Sequence, residues 1–209
     1  MKTVILAGDS IRLCYQQRVA QLLGDGVKIY APDDNCRYTK YTLWAMKIWM
    51  YAWGDPVPDV IHWNNGIWDL HRVTADGLPF TPLDEYLDQN RRLAYQMESY
   101  CKNLIWATST PGGRQLNEQK KTNYVMTEGG PQPFLCDSTE KWNADIQKYN
   151  KACAELLSAR GIRINDLYSV IAADTDKYLC DDGIHPSAEG VEALARKVAS
   201  EIKTALEGE

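Results

Sequence analysis

Short β-branched runs alternate with longer helical patterns along almost the whole chain, and this rhythm constrains the fold more than any other feature. Thr3–Ala7, Val27–Ala31, Asp59–Trp63, Asn103–Thr108 and Ile162–Leu167 read as strands. Arg12–Leu23, Thr39–Trp53, Leu83–Lys102, Lys141–Ala159 and Ser187–Leu206 read as the intervening helices. Parallel strands need crossover connections, so a βαβα order predicts a parallel sheet with helices on both faces. At 209 residues, with no internal repeat and no linker-like stretch, the chain is expected to form one domain over 1–209.

Composition narrows the class. Hydrophobic residues make up 44% and charged residues 24%, the balance of a globular protein with a core. The net charge of −5 argues against a nucleic-acid partner, which would favour a basic face. No apolar run approaches the roughly 20 residues that span a bilayer. The six cysteines form no C-x-x-C pair, so zinc-ribbon and thioredoxin readings lose support. Met1-Lys2 leads straight into Thr3–Ala7, too short for the apolar region of a signal peptide. Free thiols in a reducing cytoplasm are therefore expected. No P-loop, dinucleotide fingerprint or H-E-x-x-H occurs, so no cofactor or metal site is visible.

Two segments break the pattern. Pro111–Thr139 has little periodicity and is long for a connection, which leaves a surface excursion or a substrate-contacting loop. Residues 41–53 are apolar almost all round, which predicts a deeply buried helix or else a subunit interface or acyl-binding wall. A homo-oligomer through that helix is one expectation.

Three short elements could carry chemistry. Gly8-Asp9-Ser10 follows the first strand and opens a helix. Ligands of doubly wound sheets bind at the carboxyl ends of strands, so Ser10 stands where a nucleophile would be useful. Asp9 or Ser10 could equally be a helix cap. Asp182-Gly183-Ile184-His185 supplies an imidazole, whose pKa suits a general base, and a carboxylate on the same loop that can orient the ring. Of the three histidines, His62 falls inside the third strand, where a structural role is expected, and His71 has no carboxylate at that spacing. Asn64-Asn65 follows the third strand, where an amide could donate to an oxyanion or form an Asn-Gly turn. Asn64 is preferred and Asn65 comes second. Trp63 and Trp68 flank these asparagines and could stack on a sugar face, or pack in the core.

Gly8-Asp9-Ser10 near one end and Asp182-x-x-His185 near the other resemble the first and last blocks of the SGNH (GDSL-like) hydrolases. The resemblance implies a flavodoxin-like three-layer α/β/α sandwich of about five parallel strands. It also implies Ser10 as nucleophile, with its backbone N–H as an oxyanion donor, and Asp182 and His185 as acid and base. The third block of that family is Gly-x-Asn-Asp, and Asn64-x-Gly66-x-Trp68-Asp69 resembles a variant of it that makes Asn64 the oxyanion amide. The second block supplies a glycine N–H, where this chain has Asn35-Cys36-Arg37. The Cys36 N–H is expected to stand in, because a backbone donor needs glycine only for unusual φ or close approach.

The expected activity is hydrolysis of a small acyl ester, acetyl first, on a carbohydrate or another small metabolite. Asp9, Trp63 and Trp68 are candidate substrate contacts. An acyltransferase on the same site, or a silent binding module, are the alternatives.

Overall fold

The computed structural model describes residues 1–74, 76–114, 116, 124–127, 130–133 and 138–208, with the backbone only for 124–127 and 130–133. The strands are β1 (Lys2–Ala7), β2 (Val27–Tyr30), β3 (Val60–Trp63), β4 (Leu104–Ala107), β5 (Tyr124–Thr127), β6 (Gly130–Pro133) and β7 (Arg163–Asn165). The helices are α1 (Ser10–Leu23), α2 (Thr39–Ala52), α3 (Leu83–Glu98), α4 (Thr139–Ser158), α5 (Leu167–Ala172), α6 (Thr175–Tyr178) and α7 (Ala188–Glu207).

Five parallel strands form one sheet in the order β2-β1-β3-β4-β7. Helices α1 and α7 pack together, as do α2 with α3 and α3 with α4, which gives the α/β/α layering the sequence predicted. Val4–Ala7 and every residue of β3 and β4 are buried, as strands covered on both faces should be. The chain leaves β1 for β2 on one side and later crosses to β3 on the other. The loops after β1 and β3 therefore diverge, and they open a crevice at the carboxyl ends of the strands.

Several expectations are corrected. Helix α2 is not deeply buried. Thr39, Thr42, Ala45, Met46 and Met50 face inward, while Trp44, Ile48 and Tyr51 are exposed. Apolar composition on every side hid a one-sided burial. The predicted fifth strand is shorter, because Asp166 accepts the Ser169 N–H and starts α5 there. Part of Pro111–Thr139 is a hairpin of antiparallel β5 and β6. The remainder of that loop lies mostly outside the described residues.

Among the described residues no helix is long and apolar enough to cross a membrane. Among the described residues, Cys14, Cys36, Cys101, Cys153 and Cys180 are in the reduced thiol form.

Candidate active site

The crevice is built from three strand-to-helix turns and one loop near the chain's end. After β1, Asp9 caps α1, its Oδ1 accepting the Ile11 N–H at 3.0 Å. The capping role that the sequence left open between Asp9 and Ser10 thus falls to Asp9. Asp9 holds the helix start, and Ser10, the first residue of α1, turns its hydroxyl outward.

The Ser10 Oγ lies 2.9 Å from His185 Nε2. His185 Nδ1 lies 2.6 Å from Asp182 Oδ2, while Asp182 Oδ1 accepts the Ile184 and His185 N–H groups, each at 2.9 Å. Partial burial alone would raise the Asp182 carboxyl, but the donors of Ile184 and His185 hold it below the usual carboxylate range. The structure thus brings together the three residues expected from positions 10, 182 and 185.

The loop carrying His185 is fixed from several sides. The Cys180 N–H donates to His185 O at 2.8 Å and the Gly113 N–H donates to Gly183 O at 2.8 Å. Gly183 adopts a φ of 69°, which suits glycine. Arg18 on α1 reaches Glu192 on α7 at 2.6 Å, joining the two helices that carry Ser10 and follow His185.

Asn64 is buried at the end of β3. Its Nδ2 donates to Asp9 Oδ1 at 3.2 Å, which leaves one amide hydrogen uncommitted. Gly8 makes this approach possible. A Cβ there would stand 2.0 Å from Asn64 Oδ1. No described residue accepts from the Ser10 N–H.

Four of the expected contacts are corrected. The Cys36 N–H already donates to Gly8 O at 3.1 Å, so it does not point freely at a substrate oxygen. Asn65 commits both amide hydrogens, to Thr42 Oγ1 at 2.9 Å and Arg37 O at 3.1 Å, and acts as a tie between loops. Trp63 is wholly buried in the sheet, and its ring cannot meet a substrate. Asp9 is wholly buried and supports Asn64 rather than touching a substrate; burial raises its carboxyl despite the Asn64 and Ile11 hydrogen bonds. Trp68 remains partly exposed on the rim, its ring centroid 5.1 Å from that of His71.

The other histidines are structural. His62 is buried, accepts from Asn165 Nδ2 at 3.0 Å, and is pushed down to about 3 by burial. His71 is pushed down to about 3 by burial and by the neighbouring Arg72.

Two supporting residues escaped the sequence reading. Arg12 is wholly buried, with no carboxylate partner among the described residues. Its guanidinium donates to Gly8 O at 3.2 and 3.3 Å, Pro32 O at 2.8 Å and Asp34 O at 2.7 Å. It lies one turn past Gly8, and that spacing was the available signal. Asp69 is also wholly buried. Its Oδ2 accepts the Thr39 N–H at 3.0 Å and the Thr39 hydroxyl at 2.9 Å, tying the loop after β3 to the start of α2. Burial pushes its carboxyl up to about 7 against those hydrogen bonds.

No family model matches the chain. It is 28% identical over 131 residues to GDSL esterase/lipase CPRD49 of Arabidopsis thaliana, covering 61% of this chain and 47% of that protein. It is 31% identical over 98 residues to the spore germination lipase LipC of Bacillus licheniformis, covering 46% of this chain and 44% of that protein. The chain thus spans about half the length of the relatives it matches. Its fold superposes on an acetylxylan esterase of Geobacillus stearothermophilus with a TM-score of 0.71 at 16% identity, covering 96% of this chain and 94% of the other. A lipase/acylhydrolase of Enterococcus faecalis gives 0.69 at 17% identity, covering 98% and 96%. The chain has the SGNH-hydrolase fold, and its sequence is similar to GDSL esterases and lipases.

Proposed function

We propose that the chain is a serine esterase that removes a small acyl group, acetyl first, from an ester such as an acylated carbohydrate. The reading is carried by the 2.9 Å contact between Ser10 Oγ and His185 Nε2, backed by Asp182 on the far ring nitrogen. A serine hydroxyl is a weak nucleophile until an adjacent base takes its proton. Ser10 Oγ attacks the ester carbonyl as its proton passes to His185 Nε2. The Asp182 carboxylate stabilises the imidazolium that forms. The carbonyl oxygen becomes an oxyanion, received by the Ser10 N–H and the uncommitted Asn64 amide hydrogen. The C–O bond to the alcohol breaks as His185 returns the proton to the leaving oxygen. Water, deprotonated by the same imidazole, then hydrolyses the acyl-serine and regenerates Ser10.

Acetyl esters on sugars are favoured by the partly exposed Trp68 on the rim and by the likeness of fold to an acetylxylan esterase. A chain-length series of p-nitrophenyl esters tests the reading. Acetate is expected to be turned over fastest, and Ser10→Ala is expected to abolish turnover with an unchanged circular dichroism spectrum. Preference for acyl chains of about eight carbons or more would overturn the acetyl assignment. An active Ser10→Ala protein would overturn the mechanism.

A further inference from the structure

We propose that a row of aromatic rings running from the site's rim into the groove between α2 and α3 is a glycan-binding track. The acyl group removed at Ser10 would then be carried on an oligosaccharide chain. This rests on the esterase reading for its turnover arm but not for its binding arm.

The row is continuous. Phe80 meets Tyr38 edge-on with ring centroids 5.0 Å apart. Tyr38 lies 6.2 Å from Tyr41, and Tyr41 lies 6.0 Å from Trp44. Its two ends are open, with Phe80 45% and Trp44 66% exposed. It starts beside the catalytic crevice. Tyr38 follows Cys36 by two residues, and the Cys36 N–H is bonded to Gly8, two residues before Ser10. On the other side, the Phe80 N–H donates to the His71 carbonyl at 2.7 Å, in the loop that begins with Asn64. Both α2 and α3 follow parallel strands, so their first turns lie at the carboxyl edge of the sheet, where the crevice opens.

Past Trp44 the row enters a groove of about 470 Å³, whose walls carry Asp84, Glu85, Asp88 and Gln89 together with the cations Lys40 and Arg92. Gln89 is only 6% exposed, and its Oε1 has no hydrogen-bond partner among the described residues. A buried amide left unsatisfied is costly unless something else completes it.

These features select among ligands. An acyl chain or a second copy of the protein docking here would favour an apolar surround, whereas this groove sets the Trp44 ring among carboxylates, the cations Lys40 and Arg92 and a buried amide. A pyranose ring presents flat C–H faces that stack on aromatic rings and a rim of hydroxyls that donate to carboxylates and amides. Successive rings whose centroids are 5.0, 6.2 and 6.0 Å apart suit a ligand that repeats along its length.

The test uses the full chain with cello-oligosaccharides of increasing length, acetylated for turnover and unacetylated for binding. The wild type is expected to bind the longer unacetylated chains, seen as a change in tryptophan fluorescence. Trp44→Ala is expected to weaken that binding by about tenfold or more, measured by calorimetry. On acetylated chains, kcat/KM is expected to rise with length in the wild type. Trp44→Ala removes the rise while p-nitrophenyl acetate turnover stays unchanged. Binding that is absent, or unaffected by Trp44→Ala, overturns the track. So does a Trp44→Ala variant that converts a dimer to a monomer without altering oligosaccharide binding, since the face then covers a second copy. If the wild type fails to hydrolyse p-nitrophenyl acetate, the esterase reading falls, and the binding arm still decides the track.

Discussion

Cys36 and Gly8 hold each other through a reciprocal pair of hydrogen bonds. The Cys36 N–H donates to the Gly8 carbonyl at 3.1 Å, and the Gly8 N–H donates to Cys36 Sγ at 3.2 Å. This locks the turn before Ser10 to the loop after β2. Cys36→Ala keeps the first bond and strands the buried Gly8 N–H. It is expected to lower unfolding stability by roughly 1–3 kcal/mol, while Cys36→Ser, which restores an acceptor, recovers part of the loss. Urea unfolding of both variants checks this; an alanine variant as stable as wild type contradicts it.

Arg12 makes the same junction from inside. Its planar fork serves three backbone carbonyls, Gly8, Pro32 and Asp34, which an ammonium cannot match. Arg12→Lys keeps the charge and is expected to cost roughly 2–3 kcal/mol and to lower kcat more than it raises KM. Equal stability of the lysine variant would show that the charge alone suffices.

Asn64 and Asn65 are neighbours with different work. In the proposed mechanism Asn64 donates to the oxyanion, so Asn64→Ala is expected to lower kcat on p-nitrophenyl acetate by roughly 10²–10³-fold with little change in KM. Asn65→Ala breaks the ties to Thr42 and Arg37 and is expected to show mainly as lost stability. Steady-state kinetics and thermal unfolding of the two variants separate the roles; the reverse pattern would exchange them.

Asp69 gives a pH signature. Burial pushes its carboxyl up to about 7, so between pH about 4 and about 7 the folded chain keeps a proton that the unfolded chain releases. The folded state is therefore favoured by this group at low pH, and the advantage falls away as pH rises through that window. His62 and His71, held neutral and down near 3, act oppositely by favouring the folded state as pH rises towards 6.5. Comparing Asp69→Asn with wild type isolates the carboxylate. The variant is expected to gain on wild type by roughly 2–4 kcal/mol between pH 4.5 and pH 8, read from denaturant unfolding at each pH. A difference independent of pH would contradict the buried-carboxylate assignment.

What could be read in advance follows from how local each signal is. Asp182 and His185 share one short loop, and Ser10 follows a buried strand at once, so their meeting follows from the parallel topology. The same topology made Trp63 legible as core, because a central strand is covered on both faces, yet its place beside Asn64 suggested a substrate contact. The direction of the Cys36 N–H depends on where the loop after β2 crosses Gly8, which no spacing reveals. Arg12 and Asp69 went unremarked for a related reason. Arg12's partners Pro32 O and Asp34 O, and Asp69's partner Thr39, lie 20 or more residues away, where no spacing in the sequence marks them. Helix α2 misled through composition, since aromatic residues on an exposed face look the same in a sequence as those in a core.

The central claim is that Ser10 is an activated nucleophile, and labelling with a fluorophosphonate probe followed by peptide mass spectrometry reads this directly. The account predicts a single adduct on Ser10 in the folded protein, slowed by His185→Ala and absent in Ser10→Ala. A folded wild-type protein that stays unlabelled, or an adduct that persists at another residue in Ser10→Ala, would contradict it.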